Sequence, residues 1–207
     1  MMKEGENGVK ERRLAEREQL KKRICDAASE IILSEGFEKL SIRKIAEKIE
    51  YSPGVIYNYF KDKNEIIKLI ITETLQRTCD QVFSLELDKM NPKAALEAGL
   101  RRFAASLIEN RQQYKAIRLS GMNMSILRED SPEIEKLREA LINLLKAGKE
   151  SGDFSIQNEE IASMLLISAV TGLISTIVQD KIEDEHLKDL LIENHVEILV
   201  KGVSKQS

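Results

Sequence analysis

The chain has 207 residues, of which 32% are charged and 42% hydrophobic, and its formal net charge is −3. This length suffices for one small domain and one companion domain, and such a charged fraction excludes a chain dominated by membrane spans. Residues 1–63 carry a charge of +2, with 14 Lys and Arg against 12 Asp and Glu, whereas residues 64–207 carry −5, with 18 against 23. This asymmetry favours contact with nucleic acid at the N-terminal end.

The first nine residues are predicted to be disordered. The opening MMKEGENG is polar and has no apolar core, so it is neither a signal peptide nor a membrane anchor. We therefore expect a cytoplasmic protein.

The strongest basic cluster of the chain follows this segment and is interleaved with glutamates. Such a cluster either lies beside phosphates or is the solvated face of a helix, and the sequence leaves both interpretations open. The basic residues are Lys10, Arg12, Arg13, Arg17, Lys21, Lys22 and Arg23, and the glutamates are Glu11, Glu16 and Glu18.

Two short helices joined by a tight turn are predicted in the most informative stretch, SIRKIAEKIEYSPGVIYNYFKDK. Ser41 is a suitable N-cap, and the apolar residues after it have helical spacing, which predicts a helix over 42–49. Ser52 suits a second N-cap, and Pro53 occupies a first-turn position where a missing N–H costs nothing. The second helix is predicted over 53–61.

The second of these helices is predicted to pack through one face and to present the other. Ile56 and Phe60 point one way on a helical projection, and Gly54, Asn58 and Lys61 point the opposite way. A helix of this length fits the major groove, where an Asn can pair with adenine and a Gly permits close approach. A plain helical hairpin with a solvated face is the alternative. Four of the nine aromatic residues of the chain fall within ten positions here, which favours hydroxyl groups aimed at phosphates.

Several short motifs in this region match one known pattern. Gly36-Phe37 follows the first helix, Ser41 opens the second, and Tyr57-Asn58-Tyr59-Phe60 with Lys63 closes the third. With these motifs the stretch from about residue 18 to residue 70 resembles the N-terminal domain of TetR-family transcriptional regulators. The resemblance implies an all-α fold of about nine helices. It implies a three-helix helix-turn-helix DNA-binding domain over 1–63 and a C-terminal helical domain for effector binding and dimerisation over 64–207.

The resemblance also implies roles for individual residues. Phosphate contacts fall to Ser41, Tyr57, Tyr59 and Lys63, contacts near base edges to Gly54, Val55 and Asn58, and an internal packing role to Phe60. The whole expected DNA-binding set is Ser41, Arg43, Lys44, Ser52, Pro53, Gly54, Val55, Tyr57, Asn58, Tyr59, Lys61 and Lys63.

The chain departs from the family pattern at two positions. Glu50 stands where the family usually has Gly in the turn, so either the turn differs or a non-Gly residue accepts a left-handed backbone angle. Val55 stands where Ser or Thr is common, so contact with a thymine methyl group replaces one polar contact.

The rest of the chain has helical periodicity almost throughout and no alternating strand pattern. Pro at two expected N-termini and Gly after one C-terminus mark the boundaries. Six helices are predicted, over 64–88, 92–109, 112–120, 132–150, 158–179 and 184–201.

Residues 161–179 contain no charge and are almost long enough to cross a bilayer. Their hydroxyl residues and close acidic flanks favour a buried helix instead. By the resemblance, this helix and the last one pair with a partner chain, although both also fit packing within one subunit. A dimer would read two half-sites one DNA turn apart, about 34–36 Å, and hence a palindromic operator. The expected interface residues are Met164, Ser168, Gly172, Ser175, Leu187, Leu191 and Ile198.

The C-terminal domain also offers an apolar set with adaptable Met side chains, which suits a lipophilic or acyl-type ligand. A plain core is the alternative for each of them. Arg118 either anchors a carboxylate or phosphate or extends to solvent. The expected ligand-binding residues are Phe83, Leu87, Phe103, Leu107, Tyr114, Arg118, Met122, Met124, Leu141, Met164, Ser168 and Thr171.

No pattern of catalytic or metal-binding residues is found. Cys25 and Cys79 lack metal-type spacing, His186 and His195 are nine residues apart, and no phosphate loop or dinucleotide fingerprint is present. We therefore expect no metal, no cofactor and no enzymatic activity. The expected function is that of a DNA-binding regulator of transcription that a small lipophilic effector releases from its operator. By the resemblance, the regulator is expected to repress, which is the commoner role in the family. The alternatives are a DNA-binding dimer without an effector and, with less support, a helical enzyme.

Overall fold

The computed structural model of the chain describes residues 3–120 and 132–205. These residues form helices and connecting turns, and the only pairing of extended backbone among them is an isolated bridge between Phe154 and Ser204. The expected all-α fold with about nine helices is confirmed. The α-helices of the described residues are α1 (Lys3–Glu35), α2 (Ile42–Lys48), α3 (Pro53–Tyr57), α4 (Lys63–Phe83), α5 (Pro92–Glu109), α6 (Arg111–Leu119), α7 (Pro132–Glu150), α8 (Glu159–Gln179) and α9 (Glu185–Val203), with short 3-10 turns at Phe37–Lys39 and Leu87–Lys89.

The described residues divide into two compact units. The N-terminal unit runs to Ile71 and includes the segment from Lys115 to Ser120, and the C-terminal unit contains the rest. The division therefore falls inside α4 rather than at residue 63, where the sequence led us to expect it. The reason is packing, because Ile66 and Ile67 in the first turns of α4 are fully buried in the N-terminal core.

An isoleucine-rich core holds the N-terminal unit together. Ile24 and Ile32 of α1, Ile45 of α2 and Ile56 of α3 are completely buried. Burial of each such side chain contributes roughly 1.5–3 kcal/mol, so these contacts fix short helices that have little stability of their own. Gly36 follows α1 with a φ of +89°, a conformation that Gly adopts readily and that lets the chain turn towards α2.

Helix α1 begins at Lys3, whereas the sequence led us to expect disorder over residues 1–9. Met1 and Met2 lie outside the described residues. The N-terminal part of α1 is rich in Glu, Lys and Arg, which have high helix propensity. The ion pair from Arg12 to Glu16, at 2.9 Å and helical i, i+4 spacing, adds local support.

The C-terminal unit is built around α5, which packs against α7, α8 and α9. The side chains of Asn91, Asn158 and Asp184 accept hydrogen bonds from backbone N–H groups in the first turns of α5, α8 and α9. Such caps satisfy donors that have no partner within the helix. The hydroxyl groups of Thr78 and Ser106, both fully buried, lie 2.8 Å apart and satisfy each other within this core.

A tight contact between α7 and the segment after it closes the C-terminal unit. The ring of Phe154 lies so close to Gly148 that a Cβ atom at that position would fall 2.1 Å from Cδ2 of the ring. The N–H of Phe154 donates to the carbonyl of Gly148 at 3.0 Å, and the N–H of Ser155 donates to that of Val203 at 2.8 Å. Gly148 is therefore required by packing rather than by backbone angle.

Two helices end several residues earlier than the sequence predicts. Helix α3 ends at Tyr57 rather than at residue 61, because Asp62 already accepts from the N–H groups of Asn64 and Glu65 and so caps α4. Helix α4 ends at Phe83 rather than at residue 88, and the chain then turns through Glu86, whose φ is +49°.

Helix α8 is the one helix in the described parts of the chain that is long and apolar enough to cross a membrane, by length and composition. One of its faces is buried in the helical core through Leu166, Val170, Ile174 and Ile177. Their spacing of three and four residues is that of a helix packed along one side.

Candidate nucleic-acid interface and ligand cavity

The start of α2 is fixed by its predicted N-cap. The Oγ atom of Ser41 accepts a hydrogen bond from the N–H of Lys44 at 3.2 Å. The ammonium group of Lys44 also forms an ion pair with Glu35 at the end of α1. This expected DNA contact therefore has a protein partner with which a phosphate would compete.

The turn between α2 and α3 is made without glycine. Glu50 adopts a φ of +61°, in the left-handed region, which resolves the two alternatives that the sequence left open. The N–H of Tyr51 donates to the carbonyl of Ala46 at 2.9 Å. Arg23 donates to the carbonyl of Ile49 at 3.1 Å, and its guanidinium lies 5.3 Å from the centre of the Tyr51 ring. These contacts from α1 hold a turn whose central residue is strained by about 1–2 kcal/mol.

Helix α3 presents the side that the projection predicted. Ile56 and Phe60 are buried beneath it, whereas Gly54, Asn58 and Tyr57 are exposed. The side chain of Ser52 makes no capping hydrogen bond, contrary to the sequence prediction, and Pro53 occupies the first turn. The nearest atom to a Cβ built on Gly54, outside its chain neighbours, would be Ser52 Oγ at 3.9 Å. The protein itself therefore leaves room for a side chain at residue 54.

All twelve expected DNA-binding residues lie in the N-terminal unit, and none is buried. Tyr57 is 59% exposed. Lys63 is half-buried, because its ammonium group lies 4.3 Å from the centre of the Phe37 ring and donates to the Phe37 carbonyl at 3.3 Å. The exposed members are Arg43, Ser52, Pro53, Gly54, Tyr57, Asn58 and Lys61, and the half-buried members are Ser41, Lys44, Val55, Tyr59 and Lys63.

The C-terminal unit contains a cavity of about 430 Å³. Its wall is almost entirely apolar, and its charged members are Glu86 and Asp88, beside the 3-10 turn that follows α4. This size and composition are those of a site for a small lipophilic molecule. The lining residues are Val82, Phe83, Glu86, Leu87, Asp88, Met90, Pro92, Ala95, Leu96, Gly99, Leu100, Phe103, Leu137, Ala140, Leu141, Asn143, Leu144, Ala147 and Ile167.

Four of the expected ligand-binding residues line this cavity: Phe83, Leu87, Phe103 and Leu141. Six others lie elsewhere. Leu107 is buried in the core, and Tyr114 is tied to α8 by hydrogen bonds to the Thr171 carbonyl at 3.1 Å and to Ser175 Oγ at 2.9 Å. The exposed Arg118, Met164 and Ser168 and the half-buried Thr171 are also outside the lining, and Met122 and Met124 fall outside the described residues.

Gly99 is a cavity residue that the sequence reasoning missed. It lies in the middle of α5, where an isolated Gly lowers helix stability and signals a packing or functional requirement. A Cβ atom there would lie 3.2 Å from Cδ1 of Leu87, another lining residue. The absence of a side chain at residue 99 therefore keeps part of the cavity open.

The expected dimer residues divide into an exposed and a half-buried group. Met164, Leu187 and Ile198 are large apolar side chains exposed on α8 and α9, and Ser168 and Gly172 are exposed on α8. Ser175 and Leu191 are half-buried, and Leu191 packs against the core of its own unit.

The chain is similar in sequence to known regulators. Residues 24–70 match the family described as bacterial regulatory proteins of the tetR family, and residues 116–205 match the C-terminal region of QacR-like proteins. The fatty acid metabolism regulator protein of Bacillus subtilis is 24% identical over 184 residues, which are 87% of this chain and 93% of that protein. The HTH-type transcriptional repressor BepR of Brucella suis is 24% identical over 172 residues, which are 78% and 81% of the two chains.

A solved structure has the same fold. The fatty acid degradation regulator FadR from Bacillus halodurans superposes with a TM-score of 0.73 and 20% identity, over 90% of this chain and 97% of that one. Its identity is low enough that the likeness shows the fold alone. The sequence matches at both ends of the chain, the helix-turn-helix geometry and this fold agree with one another. The chain belongs to the TetR family of transcriptional regulators and carries the DNA-binding helix-turn-helix of that family.

Proposed function

We propose that this regulator is a cytoplasmic repressor that binds a palindromic operator as a homodimer and is released by a small lipophilic effector. The single observation that carries the effector response is the apolar cavity of the C-terminal unit. Repression is supported by similarity to BepR, which is described as a repressor. The DNA-reading role rests on the exposed face of α3, with Asn58 as the base-reading residue and Gly54 as the point of closest approach.

Selection of bound sequences from random duplex DNA by the purified chain tests the DNA-reading part. We expect an enriched palindrome whose half-site centres are about 10–10.5 base pairs apart, or a multiple of that spacing. Binding without enrichment at any sequence would contradict the proposal. The selected duplex then serves as the operator in the experiments below.

The dimer is supported by an exposed apolar surface on α8 and α9. Leu165 is 61% exposed and Ile198 is 67% exposed, and large exposed apolar side chains that cluster on two helices mark an interaction surface. Replacement of Leu165 by Arg should yield monomers in light scattering and should abolish tight binding to the palindrome. An unchanged dimer mass would show that this surface is not the interface. The other large apolar residues of the surface are Ile161, Met164, Leu187 and Leu190.

The cavity also constrains the effector. Glu86 and Asp88 are the charged lining residues, and Glu86 forms an ion pair with Lys89 at 2.7 Å. Because Lys89 offsets the charge of Glu86, the repulsion of a ligand carboxylate would come mainly from Asp88, and a neutral or cationic polar end would not meet it. We therefore infer that the effector is an apolar molecule with a neutral or cationic end. Of the lipophilic or acyl-type ligands expected from the sequence, this inference keeps those without a free carboxylate.

Three compounds that share a ten-carbon alkyl chain distinguish a neutral, a cationic and an anionic end of the effector. They are decanol, decyltrimethylammonium and decanoate. We expect the first two to raise the melting temperature of the chain and to release the operator, because a ligand that binds only the folded state stabilises it. Decanoate should do neither. Stabilisation by decanoate alone would show that the effector has an anionic end rather than a neutral or cationic one. The proposal that the effector is lipophilic would still hold.

A variant whose cavity is filled by a larger side chain tests whether the alkyl compounds bind there. Ala140 lines it, so Ala140→Phe should remove the response to the alkyl compounds while operator binding persists. Ala98→Phe, on α5 outside the lining, is the control of equal size and should keep the response. Linkage further requires that operator DNA raise the dissociation constant of the ligand by the factor by which ligand weakens DNA binding. Equal ligand affinity with and without operator would contradict an effector role.

A further inference from the structure

Helix α1 has one face whose character changes along its length. Ile24, Ala28 and Ile31 lie on this face near the C-terminal end and are buried in the N-terminal unit. Continued towards the N-terminus at about 100° per residue, the same face carries a series of basic residues. We call these residues the basic stripe: Lys10, Arg13, Arg17 and Lys21.

Between Lys10 and Lys21 the basic stripe contains no acidic residue on its own side of α1. Measured around the helix axis, Glu11, Glu16 and Glu18 each lie about 100° or more from Arg17. Lys21 reaches Glu18 at 2.9 Å, and the ion pair between Arg12 and Glu16 lies on the far side of the helix. The four cations of the stripe thus share one side of α1, whereas Glu11, Glu16 and Glu18 lie on its other sides together with Arg12 and Lys22, although the sequence interleaves all of them.

The stripe is continuous with the DNA-reading surface. The guanidinium of Arg17 lies 5.5 Å from the centre of the Tyr59 ring, within the range of a cation–π contact. Tyr59 follows α3 and is one of the expected phosphate contacts. Arg23 makes the corresponding contact with Tyr51 at the turn before α3. One end of the stripe is therefore joined to the side of the unit that presents α3.

The other end of the stripe lies beyond the packed core. Lys10, Arg13 and Arg17 are exposed. From Arg17 to Lys10 the helix advances about 10 Å, at 1.5 Å per residue. Duplex DNA advances 3.4 Å per base pair, so this length corresponds to about three base pairs.

We propose that the basic stripe binds the phosphate backbone of duplex DNA outside the half-site that α3 reads. Continuity with the presented face of α3 and charge complementarity with phosphates identify this partner. The stripe adds affinity without sequence information, because Lys and Arg contacts to phosphates neutralise charge and release counterions from any duplex. This inference rests on the proposed operator binding and adds to it a requirement for flanking DNA.

The test compares two duplexes that contain the selected operator. One ends a single base pair outside the palindrome, and the other extends six base pairs further on each side. For the unaltered chain we expect the long duplex to bind roughly fivefold to tenfold more tightly at about 0.1 M salt. We also expect its slope of log affinity against log salt to be steeper by about two units or more, from at least one extra phosphate contact per subunit.

Two double variants with the same loss of charge assign this effect to the stripe. Lys10→Ala with Arg13→Ala removes its exposed end, whereas Arg12→Ala with Lys22→Ala removes two cations that lie about 140° from Arg17 around the axis. Alanine keeps helix propensity in both, and circular dichroism checks the helix content. The first pair should lose the preference for the long duplex and keep the affinity for the short one. The second pair should retain both.

Three outcomes would overturn the proposal. Indifference of the unaltered chain to flank length would show that the stripe does not reach flanking DNA. Equal losses in the two double variants would assign the effect to net charge rather than to a surface. Equal weakening on both duplexes by the first pair would place its contacts inside the operator. Failure of the unaltered chain to bind the short operator is a different result, because it would contradict the proposed function itself.

Discussion

The expected binding groups lie at the surface in the N-terminal unit and in the interior in the C-terminal unit. In the N-terminal unit a fully buried isoleucine core holds the five-residue helix α3, and every expected DNA contact lies at the surface. In the C-terminal unit long helices surround a cavity, and the groups available to a ligand are themselves core side chains such as Leu96, Leu100 and Phe103. Gly54 and Gly99 show the contrast, since a Cβ atom would lie in ordinary contact 3.9 Å from Ser52 Oγ at the first and in a tight contact 3.2 Å from Leu87 at the second.

In the N-terminal unit a substitution can therefore change binding without changing the stability of the fold. In the C-terminal unit a substitution at the cavity changes both. A substitution on the exposed face of α3 would remove an expected DNA contact and leave the core unchanged. A substitution in the wall of the cavity changes the packing that holds the helices together, because interiors are close to crystal density and transmit strain. Substitutions in the two units should therefore differ in how far they change binding and stability together.

Gly148→Ala should produce the largest loss of stability. The added Cβ would lie 2.1 Å from Cδ2 of the Phe154 ring, so the ring or the backbone must move, at a cost of about 3 kcal/mol. Thermal or urea unfolding measures the change. Gly202→Ala, in α9 with no atom within 4 Å of its added Cβ, is the control and should not destabilise the chain. Equal effects of the two variants would contradict a packing requirement at residue 148.

Asn58→Ala should weaken binding to the selected operator by about 1–3 kcal/mol and binding to random DNA only slightly, if its amide reads a base. Its side chain is exposed, so the melting temperature should not change. Titration of both DNAs at one salt concentration measures the difference. An equal loss on the two DNAs would make Asn58 a phosphate contact, and a lowered melting temperature would break the separation of binding from stability.

Lys63→Ala should change both DNA binding and stability, although Lys63 lies in the N-terminal unit. As a phosphate contact it should lower the slope of log affinity against log salt by about one unit per site. Its ammonium group also donates to the carbonyl of Phe37, so we expect a loss of stability of about 1 kcal/mol in addition. Lys61→Ala, an exposed cation nearby, should change the stability less. An unchanged slope with lowered stability would make Lys63 a purely structural residue.

Glu50→Gly should have the smallest effect, and of opposite sign. The φ of +61° at this residue is strained for any side chain with a Cβ atom but not for Gly. The greater freedom of Gly in the unfolded chain offsets part of the gain, which leaves a stabilisation of about 0.5–1 kcal/mol. Comparison of unfolding curves tests this. Lower stability of the variant would show that contacts of the Glu50 side chain outweigh the backbone strain.

The sequence predicted the helices more accurately than it predicted the cavity. The predicted span 92–109 coincides with α5 and 132–150 with α7, because Pro and hydrophobic periodicity act locally. The predicted end of α3 was wrong, because the actual end depends on Asp62, which caps the next helix. The sequence led us to expect both Phe103 and Leu107, one helical turn apart, among the ligand-binding residues. Only packing decides that Phe103 borders the cavity whereas Leu107 is buried beyond it.

The exposed side of the helix-turn-helix was easier to predict for a physical reason. Gly54 on α3 and Asn58 directly after it lie in one short stretch, where their shared side follows from spacing alone. The cavity requires residues from α4, α5, α7 and α8 to come together and leave space. Arg118 shows the limit of local reasoning, since the sequence left open whether it anchors a ligand or extends to solvent, and the structure places it exposed and outside the lining.

Each unit contains one buried thiol, Cys25 in the first and Cys79 in the second. Burial, and next the carboxylate of Glu133, raises the pKa of Cys79 to about 11. Its Sγ donates to the carbonyl of Glu133 at 3.2 Å. Because thiol reagents attack the thiolate, modification of Cys79 requires the surrounding helices to open first. Single-cysteine versions of the chain would therefore report, through labelling rates, how often each half opens under native conditions.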